Sequence, residues 1–183
     1  MTHEPRLMRE LRALIHGRRV AALGTLDATD PAQPFVSMVP YAVWPQAAAL
    51  VVHLSGLAAH TRNLQAHPQA SLLVMAGEPD GEPVHALQRV TLDVVAETPE
   101  RGSDPWRVAR GAYLARFPEA EPMTELGDFR FVLLRPAGAR QVAGCGAPRR
   151  VAAGETRRGL AARGSRRWAP LHHGRPARRC RRA

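Results

Sequence analysis

Six short apolar or β-branched segments, each bounded by turn-forming residues, constrain this chain more than anything else in it. They run from Val20 to Leu26, Phe35 to Val43, Ala48 to Ser55, Ala70 to Ala76, Ala86 to Thr98 and Phe129 to Leu134, followed by Arg140 to Ala143. Asp27-Ala-Thr-Asp-Pro31 separates the first two as a hairpin connection, and the Gly, Pro and Asp residues between Gly77 and Pro83 mark a surface turn. Only short helical patterns intervene. Leu7, Leu11, Leu14 and Ile15 recur at helical spacing from Pro5 to Gly17, and Leu57 to Ala66 runs without Gly or Pro until Pro68. Asp104 can cap a third helix, with Pro105 at its first position and Pro118 beyond its end. Strands joined by such short connections favour a mainly β (α+β) antiparallel barrel over a doubly wound parallel sheet.

Charge divides the chain in two. Of the 183 residues, 1–146 carry 14 Arg against 15 acidic residues, whereas 147–183 carry 12 Arg against Glu155 alone, so the formal charge of +10 belongs to the tail. The tail alternates Arg, Gly, Ala and Pro with almost no apolar periodicity. It is expected to be disordered, leaving one domain over 1–146. Its arginines could attract polyanions without specificity, but it offers no recognition fold, so no specific nucleic-acid function is expected. Cys145 and Cys180 lack the spacing of a zinc site or a disulfide framework, and no metal site is expected. No apolar run has the length needed to span a bilayer, and a cytoplasmic, membrane-free protein is expected.

The ordered set Leu23-Gly-Thr-Leu26, Ser37-Met-Val-Pro-Tyr41, Leu54-Ser-Gly-Leu-Ala-Ala-His-Thr-Arg-Asn-Leu64, His67-Pro-Gln-Ala-Ser-Leu-Leu73, Gln88-Arg-Val-Thr-Leu92 and Asp128-Phe129 resembles the FMN-binding split barrels of the pyridoxamine 5'-phosphate oxidase-like superfamily. Its nearest likeness is to the branch that includes haem-utilization proteins. The resemblance covers roughly residues 6–146. It implies a six-stranded antiparallel split barrel with short flanking helices, and a homodimer with FMN in grooves at the interface.

The resemblance also nominates residues. His60 falls where the superfamily's oxidases place a phosphate-binding Lys, and Thr61 and Asn63 would add hydroxyl and amide donors. The alternative for His60 is a surface histidine on a polar helix. Ser37 and Ser55 would lie on neighbouring strands and bond the phosphate or ribityl chain, unless they only satisfy nearby backbone. Met38, Val39 and Pro40 would border the flavin ring with their backbone, and Pro40 itself implies an edge or a bulge. Gln88 and Arg89 would approach the flavin or its phosphate, with an ion pair on the dimer surface as the competing role for Arg89. Trp44, Trp106 and Tyr113 read as core or interface aromatics.

No catalytic residue emerges. There is no paired-carboxylate spacing, no nucleophile elbow, no phosphate-cradling Gly-rich loop and no His-x-x-x-His helix. Chemistry would therefore belong to a cofactor that the protein orients. The function implied by the resemblance is an FMN-dependent oxidoreductase acting on a small molecule. The alternative is a non-catalytic flavin- or haem-binding protein, for which His172 and His173 make poor iron ligands.

Overall fold

A computed structural model describes residues 5–78, 80–81, 83–144 and 147–161. Helix α1 (Arg6–Gly17) buries Met8, Leu11, Leu14 and Ile15, the stripe that its spacing dictates. Strands β1 (Val20–Leu26), β2 (Pro34–Pro40), β3 (Ala42–Trp44) and β4 (Ala49–Ser55) follow, then helix α2 (Ala59–Ala66), β5 (Gln69–Met75) and β6 (Arg89–Glu97). Helices α3 (Asp104–Leu114) and α4 (Glu121–Thr124) lead into β7 (Phe129–Val142), β8 (Arg149–Ala152) and α5 (Ala153–Ala161). Among the described residues, no helix is long and apolar enough to cross a membrane.

The described strands form one antiparallel sheet in the order β2-β1-β5-β6-β7-β4-β3, and β8 pairs with β7. The two outer strands β2 and β3 are consecutive in sequence, with only Tyr41 between them. The sheet therefore curls until its edges meet at that corner, which makes it a barrel. Tyr41 is fully buried there, its hydroxyl donating to the Ile15 carbonyl at 2.6 Å and its N–H to the Arg19 carbonyl at 3.0 Å. Inside, alternate residues such as Leu23, Val39, Val52, Leu72 and Leu92 meet α1 and Leu64 of α2 in one core.

A second core lies on the opposite face of β4 and β7, where Val51, Phe131 and Leu133 pack under Ala109, Tyr113 and Phe117. Ser103, rather than Asp104, caps α3 by accepting the Trp106 N–H at 3.3 Å, and Asp104 occupies the first turn. His53 sits in this core, 4.4 Å from Phe131 and 5.7 Å from Tyr113 between ring centres, with Nδ1 buried and unpartnered among the described residues. Burial pushes its pKa down to about 4, with the Arg101 charge adding to the shift. An unfolded chain takes up this proton near the usual value of 6.5, and the folded chain refuses it until about 4, so stability falls as pH drops through that window. Urea unfolding at pH 7 and at pH 4.5 checks this. The midpoint is expected to fall at the lower pH, and His53→Phe is expected to lose less.

Four expectations change. The sheet has eight strands rather than six, because Phe35 to Val43 breaks at Tyr41 into β2 and β3 on opposite edges, and β8 is added. For the same reason Ser37 and Ser55 do not lie on paired strands: β2 pairs with β1, while β4 pairs with β3 and β7. The segments Phe129 to Leu134 and Arg140 to Ala143 merge into the long β7, with a register shift opposite Asp93 and Val94. Residues 147–161, assigned to the tail by composition, form β8 and α5. Val151, Thr156 and Leu160 are buried, and Gly159 lies so close to α1 that a Cβ would stand 3.0 Å from Leu11 Cδ2. These few apolar anchors, too sparse to show as a periodicity, offset the ordering entropy through tertiary contact. Cys145, His172 and His173 lie outside the described residues.

Candidate functional site

Helix α2 begins three residues after β4, and the turn between them is built from named contacts. Ser55 Oγ accepts the Leu57 N–H at 3.2 Å and donates to Asp128 Oδ2 at 3.0 Å. The Gly56 N–H donates to the Asp128 carbonyl at 2.6 Å, so close that a Cβ on Gly56 would stand 2.9 Å from that oxygen. Only glycine fits this approach. No side chain caps the helix.

The helix is held against β1 and β2 by its own polar face. His60 Nδ1 lies 2.9 Å from Ser37 Oγ. Thr61 Oγ1 donates to the Ser55 carbonyl at 2.6 Å. Asn63 Nδ2 donates to Thr25 Oγ1 at 3.0 Å, and Asn63 Oδ1 accepts the Ala28 N–H at 3.0 Å. Thr61 and Asn63 are both buried. Burial also lowers the His60 pKa below its usual value, so the ring is neutral at pH 7. Around it, Leu57 is 79% exposed, and Phe35, on the same face of β2 as Ser37, is 38% exposed.

Of the sequence-nominated residues, Ser37 and His60 are brought together, and Ser55, Thr61 and Asn63 stand in the same turn and helix. Val39 points into the core and Pro40 ends β2, while Met38 faces outward. Gln88 and Arg89 are elsewhere. Gln88 gives its carbonyl to the Ala76 N–H at 2.8 Å, and Arg89 Nη1 donates to the Leu87 carbonyl at 3.1 Å. Strands β1 and β5 lie between β2 and β6, which at about 4.8 Å per step sets Arg89 three strands away from Ser37. Sequence reasoning did not find Asp128 as the partner of Ser55, nor Thr25 as that of Asn63, since both pairings join residues far apart in the chain.

In this turn and helix the Thr61 hydroxyl and one Asn63 amide hydrogen are bonded within the chain, Ser55 points at a carboxylate and His60 is neutral, while Arg62, exposed with Nη1 on the Leu57 carbonyl at 2.8 Å, carries the helix's fixed positive charge. With Nδ1 engaged by Ser37, a neutral imidazole has Nε2 left to donate to iron. Among the described residues no cluster of three or more metal-ligating side chains exists.

Residues 7–143 match the family model described as pyridoxamine 5'-phosphate oxidase. The chain is 32% identical over 142 residues to the heme oxygenase HutZ of Vibrio cholerae, covering 77% of this chain and 78% of that protein. Among solved structures, a heme-binding protein from Mycobacterium smegmatis superposes with a TM-score of 0.75 at 31% identity, covering 85% of this chain. The chain spans only 62% of that mycobacterial chain. The structure of HutZ, described as a heme storage protein from Vibrio cholerae, gives a TM-score of 0.61 at 31% identity, covering 70% of this chain and 87% of that one. With three quarters of its length inside the family model and its barrel shared with these relatives, this chain belongs to the pyridoxamine 5'-phosphate oxidase family.

Proposed function

We propose that this protein binds haem in haem utilization, taking it as cargo or substrate at a site built around His60. The observation that carries this reading is the Ser37–His60 pair, in a helix whose buried Thr61 and Asn63 are bonded within the chain. The relatives named for haem support it. When bound, haem supplies a redox-active iron and a large apolar plate with two carboxylates. His60 Nε2 would face the iron, Ser37 would fix the ring by accepting from Nδ1, and Phe35 and Leu57 would contact the plate.

A homodimer is part of the same proposal. Val20, Leu26, Val36, Met38 and Met75 are exposed on the outer face of β1, β2 and β5, an apolar area of the kind that marks an interface. Gln88 and Arg89 lie too far from His60 to share its site within one chain, and a partner copy could bring them there.

Titration with haem tests the ligand assignment. His60→Ala is expected to weaken haem binding at least about tenfold and to move the Soret band, and Ser37→Ala to weaken it about tenfold with the ligand kept. Unchanged affinity and an unchanged band in His60→Ala would remove His60 from the iron.

A further inference from the structure

At the Tyr41 corner, the end of α1 meets β3 and the last turn of α3 around an open cleft of about 490 Å3. Its walls are of two kinds. Ala42, Val43, Ala112 and Ala115 are small and apolar, while His16, Arg19 and Arg116 are basic, and no carboxylate lines it. The cleft is distinct from the α2 site, because β3 pairs with the start of β4 and Ser55 stands at that strand's far end.

Arg116 is the unusual residue. It is partly buried, yet its Nη2 donates only to the backbone carbonyls of His16 at 3.1 Å and Arg18 at 2.5 Å, and its Nε is buried with no acceptor among the described residues. Arg18 Nε is likewise buried without one. Carbonyls at a helix C-terminus carry partial negative charge only, so the full charge of Arg116 remains uncompensated in a place where burial makes that costly. Arg19 waits at the rim, 2.9 Å from the exposed Glu119 and 4.8 Å over the Phe117 ring. The charges of Arg12 and Arg116 also act on His16, whose pKa is lowered first by burial. Arg19, Arg116 and His16 thus line the cleft with Arg18 adjoining in sequence, and Glu119 is the one carboxylate paired to any of Arg18, Arg19 and Arg116 among the described residues.

We propose that this cleft binds a small organic anion, a carboxylate on a compact apolar body. Arg116 and Arg19 take the carboxylate through charge-assisted hydrogen bonds, and Ala42, Val43, Ala112 and Ala115 enclose the body. The volume falls within the usual range of small-molecule sites.

Calorimetric titration of the full-length chain with 1-naphthoate tests this, at about 0.15 M salt so that loose surface attraction is screened. One naphthoate is expected per chain, with acetate, which lacks the body, at least about tenfold weaker. Ala115→Glu places a carboxylate on the exposed end of α3 beside the cleft and is expected to weaken naphthoate at least about tenfold, with the circular dichroism unchanged. Arg116→Met is expected to do the same. Because Arg116 also ties down the end of α1, Ala115→Glu decides the matter if Arg116→Met does not fold. No binding of naphthoate, equal affinity in Ala115→Glu, or equal binding of 1-naphthylmethylammonium would overturn the proposal.

Discussion

Asn63→Leu is expected to lower the unfolding free energy by about 1–3 kcal/mol, because it takes a donor from the buried Thr25 hydroxyl and the acceptor from the part-buried Ala28 N–H at once. Thr25 Oγ1 loses the donor it has at 3.0 Å, and the Ala28 N–H loses its acceptor at 3.0 Å. Asn63 is also the link by which α2 holds both β1 and the turn after it, so the loss should spread to the position of His60. Asn63→Asp keeps the acceptor for Ala28 but offers Thr25 no donor and buries a charge, and should be destabilising as well. Chemical denaturation of the ligand-free protein measures both. A loss under about 0.5 kcal/mol for Asn63→Leu would mean that this amide is spare, as a residue reserved for a ligand would be.

Met38→Asp is expected to break the proposed dimer into monomers at micromolar concentration. Met38 is 66% exposed on the outer face of β2, in line with Ala22 on β1, Leu73 on β5 and Thr91 on β6. In a two-fold interface one substitution introduces two charges, each desolvated against apolar neighbours. The change touches no core residue, so the barrel itself should keep its stability. Sedimentation velocity gives the oligomeric state. A Met38→Asp protein that sediments like the parent dimer would place the interface on another face, and a monomeric parent would remove the dimer from the account.

The alternation within each strand was readable from the sequence because burial on one face writes itself as a period of two, as in Val90, Leu92 and Val94. The amphipathic α1 was readable for the same reason. What could not be read was where a continuous apolar run changes sheet edges. Phe35 to Val43 looks like one strand in which Pro40 marks an irregularity, and the split into two edge strands comes at Tyr41, buried against α1. The start of the tail is ordered because β8 and α5 hold on through Val151, Thr156 and Leu160, which leave no periodic trace in the sequence. In the site, the residue types around α2 were legible from the resemblance, but their bonding was not. Thr61 and Asn63 carry donors that would suit a phosphate, and whether those donors are free depends on the Ser55 carbonyl and the Thr25 hydroxyl standing within 3.0 Å.

Side-by-side titration of the purified protein with haem and with FMN, followed by gel filtration and absorption spectroscopy, decides between the two ligands. The expected result is a retained Soret band at about one haem per chain and no flavin absorbance, since neutral His60 has a nitrogen to give to iron while the Ser55, Thr61 and Asn63 side chains are bonded within the chain. Retained FMN at about one per chain, with haem washed away, would contradict it and return the chain to flavin chemistry.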